Sequence, residues 1–149
     1  MSKFIGVKMI EAVPMKASMA LSAGYKIGNA HPDDMGYEVT YPDGYKSWSP
    51  AKEFKKAYYK LEDPTGDILK ENDIKRFIKG IESVKVGTKT TNTTLTCLTG
   101  FEVHGQADCV KPENFNLMVG SNYARIKAEN KIWEGLEFVL QWAKYGLKR

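Results

Sequence analysis

Residues 95–105 read Leu95-Thr96-Cys97-Leu98-Thr99-Gly100-Phe101-Glu102-Val103-His104-Gly105, and this stretch decides the fold. Threonine and valine dominate the residues before it, from 84 onward. Such β-branched side chains favour strands because they lose rotamer freedom in a helix. The pair Thr99-Gly100 separates two strand-forming runs, and a two-residue connection of this kind is typical of a tight hairpin. The stretch therefore predicts two antiparallel strands.

A long helix is predicted after this hairpin. Proline is tolerated in a first helical turn and an acid is favourable at the positive end of the helix dipole, so Lys111-Pro112-Glu113 marks its opening. Large apolar residues then recur at steps of three and four: Val119, Tyr123, Ile126, Trp133, Leu136 and Leu140. Ala124 and Ala128 form a second row of small residues. A helix that is apolar on more than one side predicts packing against its own sheet and against another copy of the chain, and hence a homo-oligomer.

Working toward the amino terminus, a small hairpin followed by a helix is predicted. The run 36–41 alternates apolar and polar residues at the period of a strand, and Phe4–Ile10 is also rich in strand formers. Pro42-Asp43-Gly44 is a turn sequence because proline presets φ and glycine accepts a positive φ. Ser49 is the expected N-cap and Pro50 the first residue of a short helix. The residues from 17 to 34 predict a loop.

The predicted organisation has three parts. Residues 1–61 form a small accessory module, residues 62–82 a linker with a helix, and residues 83–149 a hairpin with the long C-terminal helix. Within the middle part, a rough helical spacing predicts a helix that is broken or capped at Gly80; its apolar residues are Ile68, Leu69, Ile74, Phe77, Ile78 and Ile81. The fold class is α+β, with an antiparallel sheet followed by the long α-helix.

Length and composition exclude several classes. A chain of 149 residues fits one ordinary domain or two very small ones. No apolar run approaches the roughly 20 residues of a membrane span, and the start lacks the pattern of a secretory signal, so we expect no membrane association and a cytoplasmic location. Cys97 and Cys109 show no metal-ligand spacing. The net charge of +4 is compatible with an anionic ligand or with nucleic acid but requires neither.

The sequence lacks the residue patterns of known catalytic sites. His31 and His104 are too few and too far apart to predict a metal site or a triad, and Asp33-Asp34 is expected to be solvated or to cap a helix. No phosphate-binding loop or dinucleotide fingerprint is present. We therefore expect a protein that is not an enzyme and that carries no cofactor or metal.

A cluster of polar and basic residues on the long helix is the candidate binding site. Lys127 and Lys131 share a helix face, whereas Arg125 lies on another, and any of the three can hold a phosphate. Asn116 can read the edge of a nucleobase, and Phe101 can stack on its plane. Replacing Arg125 by Ala is expected to weaken phosphate-dependent binding by roughly 1.5–3 kcal/mol. The alternative for each residue is an ordinary one: the lysines are solvated and the aromatic side chains belong to the core.

The region from Leu95 to Leu140 resembles a phage small-protein family that includes the Thoeris anti-defence sponges. The matching residues are Leu98 to Gly105, Cys109 to Asn116, Gly120, Ala124, Ala128, Lys131-Ile132-Trp133 and Phe138-Val139-Leu140. Phe4 to Lys8, Glu11-Ala12 and Ser47 to Pro50 resemble a module at the front of various phage small proteins, for which no activity is implied.

The resemblance implies a function as well as a fold. Proteins of this kind combine an antiparallel sheet with long C-terminal helices and assemble into dimers or larger rings. They sequester cyclic ADP-ribose isomers, and some also hold cyclic di- or trinucleotides, without degrading them. The expected activity is therefore a sponge for nucleotide immune signals in the cytoplasm of an infected bacterium, with nucleic acid not expected as its partner. Two alternatives remain: a protein- or nucleic-acid-binding accessory module, and a hydrolase of the signal.

Overall fold

The computed structural model describes residues 1–149, which divide into two compact units. The first unit comprises Met1–Lys60 together with Trp142–Arg149, and the second comprises Leu61–Gln141. Each unit contains one three-stranded antiparallel sheet. The predicted α+β class is confirmed.

The sheet of the first unit consists of β1 (Glu11–Pro14), β2 (Gly36–Thr40) and β3 (Lys46–Pro50), in that spatial order. The turn between β2 and β3 forms as predicted: Gly44 has a φ of 89° and donates its N–H to the carbonyl of Tyr41 at 2.8 Å. Asp43 accepts a hydrogen bond from the N–H of Tyr45 at 3.0 Å. The side chain of Asp43 therefore fixes the turn in addition to the backbone.

Two short helices cover this sheet, α1 (Ala17–Ser22) and α2 (Ala51–Ala57). The core of the unit forms where Ala17 and Ala20 of α1 pack against Trp48 of β3. The indole N–H of Trp48 donates to the carbonyl of Met15 at 2.8 Å, so the buried ring leaves no polar atom unpaired. Gly36 lies directly under the same ring, where a Cβ would overlap the indole.

The sheet of the second unit consists of β4 (Ile78–Val86), β5 (Thr90–Cys97) and β6 (Glu102–Asp108), with β5 in the centre. Helix α3 (Glu71–Arg76) precedes it, and a single 3-10 turn (Pro112–Asn114) leads into the long helix α4 (Leu117–Tyr145). Every second side chain of β5 is buried, which is the pattern of a strand with one face against a core. That core contains Leu95 and Cys97 of β5, Ile74 of α3, and Ala128 and Ile132 of α4.

Several predicted elements are confirmed. The hairpin around Thr99-Gly100 is the β5–β6 connection, and the C-terminal periodicity is one helix of 29 residues. The apolar residues Val119, Tyr123 and Ile126 are half or more exposed on α4, whereas Ala124 and Ala128 are fully buried. In the first half of α4 the small residues, and not the large ones, thus face the sheet, whereas Trp133 and Leu136 in the second half pack against the core.

Other predictions were wrong. No strand forms in Phe4–Ile10. The first strand is Glu11–Pro14 instead, because these are the residues that pair with Tyr37 to Thr40 of β2. The helix predicted to be broken or capped at Gly80 ends at Arg76, and the residues from Ile78 onward form β4 because they pair with β5. Helix α1 occupies part of the predicted loop. Ser49 and Pro50 belong to β3, where they pair with Tyr37 and Gly36, so α2 begins at Ala51 and without a side-chain cap.

None of the helices is both long enough and apolar enough to cross a membrane.

Candidate ligand-binding site

Helix α4 crosses the sheet of the second unit at two glycines. A Cβ on Gly105 of β6 would lie 2.6 Å from the backbone nitrogen of Ala128 and would overlap the carbonyl oxygen of Ala124. A Cβ on Gly120 of α4 would overlap the side chain of Thr91 on β5. Such close approach requires glycine on one side of the contact and a small residue on the other. It brings the backbone of α4 directly against β6, which is an edge strand.

This crossing creates a surface depression of about 350 Å³ beside β6. Its lining consists of His104, Gly105 and Gln106 from β6 and Lys127 and Lys131 from α4. The two lysines lie four residues apart, so their ammonium groups extend from the same face of the helix. No acidic side chain lines the depression, and two cations therefore share it with neutral hydrogen-bonding groups.

The polar side chains of β6 are oriented by the neighbouring strand. His104 hydrogen-bonds through its Nδ1 to the hydroxyl of Thr94 at 2.9 Å. Gln106 donates from its Nε2 to Asn92 Oδ1 at 3.4 Å. Because Thr94 and Asn92 alternate with the buried residues of β5, the side chains of His104 and Gln106 lie on the face of the sheet that points away from α4. On the other side of β6, every second residue directs its backbone N–H and C=O away from β5, as expected for an edge strand.

The structure places two of the five predicted residues in this depression, Lys127 and Lys131. Sequence reasoning missed His104 and Gln106 as their neighbours. The alternation of β6 gave only part of the signal: Gly105 lies against α4, so the side chains of His104 and Gln106 point to the opposite face of the sheet, and the two residues line the depression from the edge of the strand. Identifying it required knowing that Gly105 faces the helix and not solvent.

Arg125 and Asn116 do not line the depression. The Nε atom of Arg125 lies 3.8 Å from Glu129 Oε1, four residues along α4. Asn116 is the N-cap of α4, since its Oδ1 accepts the N–H of Val119 at 3.1 Å. The carbonyl oxygen of this side chain is therefore engaged in capping the helix, which leaves its NH₂ group as the donor for a ligand.

Phe101 lies at the start of the hairpin return, immediately before β6. Its side chain is 70% exposed, and its backbone is fixed by hydrogen bonds with Cys97 and Thr99. It does not line the depression either. Phe115 differs from it in being half-buried, with the Lys85 ammonium 4.6 Å from its ring centroid. The exposed ring of Phe101, which lies on a turn fixed by hydrogen bonds, is therefore available for stacking.

Two further titratable groups of the second unit, Cys97 and Asp63, have structural roles outside the depression. Both cysteines are free, and burial raises the pKa of the Cys97 thiol, which disfavours the thiolate. Hydrogen bonds from Thr65, Ile68 and Asp67 lower the pKa of Asp63 to about 2, in a loop before α3. No group of three or more His, Cys, Asp or Glu side chains is placed to hold a metal ion.

The family of the chain follows from a comparison with known proteins. No curated protein and no solved structure matches it. A family model does match residues 69–143, described as the phage protein (N4 Gp49/phage Sf6 gene 66) family. The matched region includes all three strands of the second unit, most of α4 and every residue that lines the depression. It extends beyond the resemblance found from Leu95 to Leu140 and covers half of the chain. The chain thus belongs to the phage protein (N4 Gp49/phage Sf6 gene 66) family.

Proposed function

We propose that this protein is a phage-encoded anti-defence sponge, which binds cyclic nucleotide-type immune signals and withholds them without degrading them. The observation that carries the proposal is the grouping of Lys127, Lys131, His104 and Gln106 in one depression. Membership of the phage protein family and the resemblance to Thoeris anti-defence sponges support it. The action takes place in the cytoplasm of the infected host.

The charges of the depression suit a ligand with phosphate groups. Lysine is a compact point charge that binds phosphate oxygens, and two lysines one helical turn apart match a pyrophosphate or two neighbouring phosphodiesters. Cyclic ADP-ribose isomers contain the former and cyclic di- or trinucleotides the latter. The absence of carboxylates in the lining avoids repulsion of these anions.

Neutral groups of the site provide recognition beyond charge. The backbone of the β6 edge adds donors and acceptors of fixed direction. Groups of this kind can hydrogen-bond the ribose hydroxyls or the edge of a base. Two lysines alone would bind any dianion and could not distinguish a nucleotide from the others.

Phe101, Asn116 and Arg125 complete the proposed site from a second copy of the chain. In one chain the depression is an open surface feature, whereas small-molecule sites bury most of the ligand. The exposed apolar row on α4, containing Val119, Tyr123 and Ile126, is the surface proposed to join two copies. The sponge is accordingly a homo-oligomer with ligand pockets between subunits, in which Phe101 stacks on a base and Arg125 adds a third cation.

Isothermal titration of the purified protein with a cyclic ADP-ribose isomer and a panel of cyclic dinucleotides tests this function. Each ligand is recovered afterwards by denaturing the complex and is identified by chromatography. We expect tight binding of at least one ligand, which is recovered intact. Recovery of an altered ligand would show a hydrolase instead. No heat with any of the ligands would exclude the sponge and favour the accessory-module alternative.

A further inference from the structure

The two units carry opposite net charges. The first unit contains twelve lysines and arginines and six acidic residues, whereas the second contains ten basic and twelve acidic residues. The net charge of +4 for the whole chain is therefore the difference between a unit of +6 and a unit of −2. A net charge of +6 on 68 residues produces a strong positive electrostatic potential, which attracts polyanions.

One side of the first unit carries a continuous cluster of aromatic rings. The ring of Tyr37 stacks on Phe54 with centroids 4.0 Å apart, and Phe54 contacts Tyr58 at 5.1 Å. The Tyr58 side chain also interacts with that of Tyr41, which stacks on Tyr45 at 5.8 Å. We call these five residues the aromatic face. Four of them are half-buried and Tyr45 is 65% exposed, so Tyr45 is the most accessible ring and the other four are accessible in part.

Lysines lie beside the aromatic face and on the helix that contributes Phe54 to it. The ammonium group of Lys8 lies 5.3 Å from the centroid of the Tyr41 ring. Exposed lysines 52, 55 and 56 lie on α2, the helix that contributes Phe54. Met9 donates its N–H to the carbonyl of Ala143, which holds the end of α4 beside the Lys8 segment. There Lys144 and Lys148 both lie within 6 Å of the Tyr145 ring centroid.

Most acidic residues of the unit lie away from this face. Glu11 and Glu38 alternate with the residues that point toward α2, so they lie on the sheet surface covered by α1, where Glu38 pairs with Lys46 at 3.7 Å. Asp33 and Asp34 belong to the loop that hydrogen-bonds to the start of α1. Only Asp43, engaged with the turn, and Glu53 of α2 remain near the aromatic face. The positive charge is thereby concentrated on the side that carries the rings.

We propose that the aromatic face of the first unit binds single-stranded nucleic acid. Rings on which bases stack, surrounded by cations that neutralise phosphates, are the combination by which proteins hold single strands without reading their sequence. An acidic protein would bind the lysines, but its binding would not require a row of aromatic rings. A duplex offers phosphates but keeps its bases stacked on one another. This inference concerns the first unit and is independent of the function proposed for the second.

Fluorescence anisotropy of a labelled oligothymidylate titrated with the full chain tests the proposal. We expect binding that weakens steeply with salt because counterions are released, and weaker binding of a duplex of equal length. Tyr45→Ala should weaken binding at least about fivefold through the loss of base stacking. Because Tyr45 is an exposed turn residue, the variant should remain folded, which circular dichroism checks.

Charge reversal locates the surface. Lys55→Glu should weaken binding several-fold, whereas Lys26→Glu is the control, since Lys26 is an exposed lysine of the same unit that lies close to α1. Equal losses in the two variants would show that net charge alone acts and would overturn the proposal. So would an absence of binding at low salt, an unchanged affinity of Tyr45→Ala, or displacement of the oligonucleotide by polyglutamate as effectively as by unlabelled oligothymidylate.

Discussion

Gly105 of β6 and Ala128 of α4 lie in backbone contact, so close that a Cβ on the glycine would come within 2.6 Å of the alanine nitrogen. This contact determines where the long helix crosses the sheet. It also determines the candidate site, because Lys127 and Lys131 flank Ala128 along the helix and His104 flanks Gly105 along the strand. The close packing of small residues thus positions the charged ones.

Gly105→Ala should destabilise the second unit. The added methyl group overlaps helix backbone, which cannot move away as a flexible side chain would. Overpacking of this kind costs about 1–3 kcal/mol of the free energy of unfolding. Chemical denaturation followed by circular dichroism measures the loss.

Gly135→Ala is the matched control for this substitution. Gly135 lies within α4, and no atom of a neighbouring element comes within 4 Å of the position that an added methyl group would occupy. Alanine is the better helix former by up to about 1 kcal/mol, so this variant should be more stable than the wild type. Equal stability of the two variants would contradict the close crossing of α4 and β6.

Thr91→Val should leave the protein as stable as the wild type or stabilise it by about 1 kcal/mol. Thr91 is 1% exposed, and its hydroxyl has no hydrogen-bond partner, so its burial is uncompensated. The neighbouring Thr93 is buried as well, but its hydroxyl pairs with that of Ser83 at 2.7 Å. Thr93→Val should therefore destabilise by about 1 kcal/mol. Opposite signs in the two denaturation midpoints are expected; a larger loss for Thr91→Val would show that its hydroxyl has a partner.

Asp63 should make stability depend on pH in the acid range. Its carboxylate accepts hydrogen bonds from Thr65, Asp67 and Ile68, which lower its pKa from 3.8 to about 2. Since the folded-state pKa lies below the unfolded one, the stabilisation is fully present above pH 4 and is lost as the pH falls toward 2. Denaturation midpoints measured across this range should fall less steeply for Asp63→Asn. Identical profiles for the variant and the wild type would refute the assignment.

The sequence was sufficient where a local pattern and the tertiary structure agree. The turn at Asp43-Gly44 and the hairpin at Thr99-Gly100 depend on residues within the turn itself, and both form as predicted. The existence of a long C-terminal helix followed from its periodicity, whereas the predicted opening at Lys111-Pro112-Glu113 is a 3-10 turn and α4 begins at Leu117. Prediction failed where pairing decides the conformation: Ile78 and Ile81 have a helical spacing, yet they form a strand because β5 provides partners for them.

The candidate site was partly predictable for a similar reason. Lys127 and Lys131 share a helix face, which spacing alone reveals. Their neighbours on β6 depend on which strand lies beside that face, a tertiary relationship that no local pattern contains. The difference in net charge between the units could not be predicted from the sequence either, because the last residues of α4, including Lys144, belong to the first unit.

The most direct test of the proposed sponge function is the affinity of Lys131→Ala for the signal that the wild type binds, measured by isothermal titration. Lys89→Ala is the control, since Lys89 is an exposed lysine of the same unit outside the depression. We predict that Lys131→Ala weakens binding by about 1.5–3 kcal/mol, tenfold or more, while Lys89→Ala binds as the wild type does. An unchanged affinity of a folded Lys131→Ala variant would place the ligand elsewhere and contradict the proposed site.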